Sequence, residues 1–102
     1  MTQAIYRLFL GNYLNDFPKY PANVQKVSHL AVKAYEYIKE QDLEGFIFTM
    51  TELKKFVSIA FRSPDKEKLV EDYDNIAQAK TAQDYITRFQ ILVKDAFTAY
   101  SN

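Results

Sequence analysis

The sequence predicts an all-α fold: one domain over residues 1–102, built as an antiparallel up-and-down bundle of four main helices. Three observations lead there. The long patterned stretches all repeat their apolar residues with the helical period of about 3.6, and none alternates with period two over a strand's length. The two glycines and three prolines fall mostly where helix boundaries are expected. A length of 102 residues gives one core without metal or disulfide help, and eight Phe with eight Tyr fill a thin bundle efficiently, since aromatics bury much area per residue.

The first helix is expected to end near Leu14. Asn15-Asp16-Phe17-Pro18-Lys19-Tyr20-Pro21 follows as a loop, because each proline disfavours helix in the residue before it. From about Ala22 to Gln41 the pattern is strongly amphipathic. Val24, Val27, Leu30, Ala31, Ala34, Tyr35 and Ile38 share one arc, and Lys26, His29, Lys33, Glu36 and Glu40 the opposite one. Gln41-Asp42-Leu43-Glu44-Gly45 breaks that pattern. The third stripe is Phe46, Met50, Leu53, Phe56, Val57, Ala60 and Phe61, and Phe48 with Ile59 on a second side predict a helix buried on two flanks.

Ser63-Pro64-Asp65 is a helix start, with Ser as N-cap, Pro at the first helical position and an acid near the positive end of the dipole. Leu69, Tyr73, Ile76 and Ala77 are its expected inner face. No Gly or Pro follows Pro64, so local breakers alone allow one helix to the C-terminus. Phase forbids it. The next stripe is Tyr85, Phe89, Leu92 and Ala96, and Leu69 to Tyr85 is a step of 16 residues. At about 100° per residue this is roughly 160° beyond whole turns, so a straight helix leaves one stripe in water. Thr81-Ala82-Gln83-Asp84 supplies a capping box with Asp for the usual Glu or Gln. The C-terminal part is therefore predicted to break near Lys80-Thr81, with a fifth segment from Ala82 to about Tyr100.

Composition restricts function. Without cysteine there is no disulfide framework and no thiolate zinc site, which fits a reducing compartment. Met1-Thr2-Gln3-Ala4-Ile5-Tyr6-Arg7-Leu8 lacks the basic opening and long apolar stretch of a signal peptide. No apolar run approaches the roughly 20 residues that cross a bilayer. A cytoplasmic protein with no transmembrane segment is expected. Acids and bases cancel overall and within each half, so nucleic-acid binding has little electrostatic support.

No catalytic, cofactor-binding or metal-binding constellation is visible, and an enzyme is not expected. His29, the one histidine, falls on a polar arc as a solvated surface residue. Asp65, Glu67, Glu71, Asp72 and Asp74 lack the glycine and ligand spacing of a calcium loop and read as a solvated helix face. The aromatic stripes read as core. Apolar residues off those stripes are the better candidates for a partner surface. They are Val32 near the polar side of the second helix, Ile91 outside the stripe of the last, and Tyr13, Phe17 and Tyr20 around the first loop. Ile91 shares the outer face of the last segment with Thr87, Lys94 and Thr98.

Tyr13-Leu14-Asn15-Asp16, a Pro-containing loop, the amphipathic stretch from Val24 to Glu40 and the aromatic-rich stretch from Leu53 to Phe61 follow one another through short polar links. This layout resembles the enterocin A immunity family, which protects lactic acid bacteria and streptococci from their own class II bacteriocins. The resemblance implies a small cytoplasmic antiparallel four-helix bundle acting without catalysis. It implies a site of action at the inner face of the membrane, where a sugar-transporter receptor holds the cognate peptide, with specificity set largely in the C-terminal half. Many members are basic, whereas this chain is neutral, which favours a protein partner over direct attraction to anionic lipid. The alternative reading is a small helical interaction module or regulator, such as a phage- or plasmid-type adaptor. A third is an enzyme using exposed carboxylates.

Overall fold

A computed structural model describes residues 2–100, and within them every regular element is helical. Met1, Ser101 and Asn102, at the ends of the expected domain, lie outside the described residues.

Helix α1 (Thr2–Leu10) stops earlier than the prolines suggested. Gly11 takes φ 55°, a left-handed conformation that costs a residue without Cβ little, and it ends the α-helical ladder. A 3-10 helix (Gly11–Lys19) follows where the sequence predicted the last turn of a helix and then a loop. Pro18 fits inside it because its fixed φ suits a tight helical turn. Tyr20, before Pro21, is extended at ψ 155°.

Helix α2 (Ala22–Lys39) forms as its pattern predicts, and its end is specific. The Gln41 amide donates to the Ile38 carbonyl and the Asp42 amide to the Tyr37 carbonyl, a Schellman ending that places Gln41 at φ 59°. Asp42 then caps helix α3 (Leu43–Ala60), its carboxylate accepting from the Gly45 amide at 3.0 Å. Gly45 lies against the Tyr37 ring, where a Cβ would collide.

The expectation that α3 is buried on two flanks is wrong. Phe48 is 63% and Ile59 84% exposed, because α3 meets α2 and helix α4 (Asp65–Ile76) with one arc only. Ser63 does not cap α4. Pro64 occupies the cap, and the Ser63 hydroxyl donates instead to the Glu67 carboxylate at 2.7 Å. Ala77, expected inside, follows the last turn of α4 and is exposed.

The break near Lys80-Thr81 is present, and helix α5 (Ala82–Thr98) starts on it. The Thr81 hydroxyl accepts from the Asp84 amide at 3.0 Å, and the Asp84 carboxylate reaches back to the Lys80 amide at 3.4 Å. Helix α5 packs against α1, α2 and α4 and buries Tyr85, Ile86, Phe89, Leu92, Val93, Ala96 and Phe97. Phe89 meets Phe9 edge-on at 6.0 Å and Tyr85 at 4.6 Å. Phe97 is enclosed by Tyr13, stacked at 4.7 Å, and by Tyr20 and Phe17. Tyr13, Phe17 and Tyr20 are thus half-buried packing residues, which corrects their reading as surface candidates.

Candidate functional site

Thr87, Ile91, Lys94 and Thr98 all lie exposed on the side of α5 turned away from α2, as helical phase requires of residues opposite Phe89, Leu92 and Ala96. Ile91 is 49% exposed. Thr87 and Thr98 each donate their hydroxyl one turn back, to the carbonyls of Gln83 and Lys94, at 3.1 and 2.9 Å.

Clefts open on either side of this stripe. Toward α4 a groove of about 390 Å³ is lined by Asp72, Asn75, Asp84, Thr87, Arg88 and Ile91. Arg88 fixes its wall, donating from Nε to Asp84 at 2.9 Å and from its terminal nitrogen to the Asn75 carbonyl at 2.7 Å. The guanidinium holds the Asp84 carboxyl below the usual carboxylate range. Toward α1 a smaller cleft of about 190 Å³ includes Leu8, Tyr13, Gln90 and Lys94, and Gln90 ties it by donating to the Leu8 carbonyl at 2.7 Å.

Asp72 lines the α4 groove and is only 6% exposed, with the Asp95 carboxylate of α5 near it. Burial, reinforced by the second carboxylate, pushes Asp72 up to about 7. Lys68 approaches Asp95 at 3.9 Å and offsets part of the repulsion. The acidic cluster of α4 is therefore not uniformly solvated. Asp65, Glu67, Glu71 and Asp74 are exposed while Asp72 is inside, and no group of three or more metal-ligating side chains occurs among the described residues.

Val32 does not belong to any surface. It is 4% exposed, because α2 is covered by α1, α3 and α5 together and buries a wider arc than its single stripe suggested. His29 is exposed but engaged, its Nδ1 pairing with the Tyr6 hydroxyl and its ring meeting Phe17 edge-on at 5.6 Å. Burial, with Glu36 nearby, raises the Tyr6 hydroxyl above its ordinary range.

Sequence reasoning missed a second surface. Leu43, Ile47 and Phe48 stand exposed at the start of α3. A cleft of about 230 Å³ borders Leu43, and another of about 300 Å³ borders Ile47. The signal was in the sequence: Phe48 and Ile47 lie off the Phe46–Met50–Leu53 stripe.

No helix among the described residues is long and apolar enough to cross a membrane. Neither a protein-family model, nor a curated protein, nor a solved structure matches this chain.

Proposed function

We propose that this chain is an immunity-type binding protein. It acts without catalysis, protecting a bacteriocin-producing cell from its own class II peptide by engaging the receptor–bacteriocin complex at the cytoplasmic side of the membrane. The observation that carries the reading is the exposed stripe of Thr87, Ile91, Lys94 and Thr98 in the C-terminal half, with a cleft on each side. Its mixed character of one aliphatic, one cation and two hydroxyls suits a protein surface. A balanced charge supports a protein partner over anionic lipid.

The arrangement proposed for the helices is an antiparallel up-and-down bundle of four main helices, the last broken into α4 and α5. Support comes from the short links and from the packing of sequence neighbours α2 with α3, α3 with α4, and α4 with α5. The alternative, a small helical interaction module of regulator or adaptor type, draws its support from the apolar start of α3.

The test is protection. The gene is expressed in a sensitive strain, which is then challenged with the class II peptide encoded beside it. Survival is the expected outcome, and killing indistinguishable from the empty-vector strain would overturn the immunity reading.

A further inference from the structure

We propose that the start of α3, with the end of α2 beside it, is a docking surface for a positively charged amphipathic helix of a partner protein. This rests on α3 and its neighbours alone and does not depend on the immunity reading.

The apolar part is built for anchors one helical turn apart. Leu43 borders the cleft of about 230 Å³, lined also by Tyr37, Ile38 and Phe46. Ile47, one turn on, borders the cleft of about 300 Å³, where Met50, Tyr73 and Ile76 join Ile38 and Phe46. Ile38 and Phe46 are thus a shared wall between two openings separated by about 6 Å along α3. An amphipathic helix presents apolar side chains at that repeat, at i and i+4. Phe48, also exposed, lies about 100° further round α3 from Ile47 and borders neither cleft. The Tyr37 wall exists because Gly45 has no Cβ to displace the ring.

Charge decides what kind of partner fits. Asp42 lines the first cleft, with exposed Glu40 and Glu44 on either side of it in sequence, and Asp74 stands beside Tyr73 at the second cleft. Lys39 lies over the Tyr35 ring and Lys54 over the Tyr73 ring, each at 5.6 Å, so a cation sits at the second cleft and the acidic excess lies at the first, around Asp42. Inserting Leu43, Ile47 and Phe48 into an anionic bilayer would press Glu40, Asp42 and Glu44 against lipid phosphates. Lys and Arg flanking the apolar stripe of a helix meet the same carboxylates favourably. The apolar contact is confined to two small clefts, so affinity should be modest and salt-dependent.

The test titrates the isotope-labelled full chain with two synthetic 18-residue amphipathic helices of identical Leu pattern, one with Lys and one with Glu on the polar face. Phosphatidylglycerol vesicles form a third arm. Expected are amide shifts for the Lys peptide confined to residues 37–52 and the lining residues of α4, weakened at least threefold on raising salt from 50 to 300 mM. No shifts are expected with the Glu peptide or the vesicles. Ile47→Glu should weaken binding of the Lys peptide tenfold or more with an unchanged thermal midpoint. Glu44→Lys, at a position exposed enough to leave folding intact, should weaken the Lys peptide and strengthen the Glu peptide. Shifts centred elsewhere, equal binding of both peptides, vesicle binding in preference to peptide, or concentration-dependent self-association through this patch would each overturn the proposal.

Discussion

Asp72 of α4 and Asp95 of α5 face each other across the seam between the two helices, each with a buried carboxylate oxygen that lacks a hydrogen-bond partner. Burial first, and the neighbouring Asp95 carboxylate second, push Asp72 from the ordinary 3.8 up to about 7, so that it keeps its proton in mildly acidic solution.

That proton makes stability depend on pH with an unusual sign. Asp72 in the folded chain holds a proton that the unfolded chain releases near 3.8, so its contribution is complete below 3.8 and is lost as pH rises through about 7. Glu67 and Asp84, both lowered, act oppositely and lose their contributions in acid. Denaturant unfolding should therefore give greatest stability in mildly acidic buffer and a decline by pH 8. Asp72→Asn should flatten that decline and raise stability at pH 8 by about 1–3 kcal/mol. A wild-type profile flat between pH 5 and 8 would show that Asp72 is not shifted upward in the folded chain.

The aromatic and aliphatic core sets most of the stability. Leu53 and Phe89 are fully buried at the centres of their stripes, so Leu53→Ala should cost about 2–5 kcal/mol and Phe89→Ala about 3–5 kcal/mol. Chemical denaturation measures both, and losses below about 1 kcal/mol at both positions would place them outside the core.

Gln41 offers a gain. It ends α2 in the left-handed region, where a residue with Cβ is strained, and its backbone amide rather than its side chain makes the Schellman bond. Gln41→Gly should raise stability by about 0.5–1 kcal/mol, read as a higher denaturant midpoint at constant slope. A lower midpoint would mean that the side chain contributes more than the backbone conformation costs.

Much of the helical order was legible because it depends on local period. The break at Lys80-Thr81 followed from the phase of Leu69 against Tyr85, and the Thr81–Asp84 cap stands where phase required it. Less visible was anything set by how many neighbours a helix has. Val32 is buried because three helices cover α2, and Phe48 is exposed because α3 presents only one arc to its two neighbours. Asp72 could have been found, since it shares a stripe with Leu69 and Ile76, but charge in a run of acids argued for solvent. Gly11 competed with the more conspicuous prolines, and its positive φ ended α1. At the candidate site, phase placed Thr87, Ile91, Lys94 and Thr98 on the exposed face. The flanking clefts depend on the packing of α1 and α4, which no local pattern specifies.

If α5 serves the core with one face and, as proposed, a partner with the other, Ile91→Glu separates the two roles. The substitution lies on the exposed rim of the α4 groove, so the thermal or denaturant stability of the purified protein should stay within about 0.5 kcal/mol of wild type. In the sensitive strain challenged with the co-encoded peptide, the same variant should lose protection. Full protection by a folded Ile91→Glu protein would contradict the claim, and so would a variant that loses stability by several kcal/mol, since Ile91 would then belong to the core.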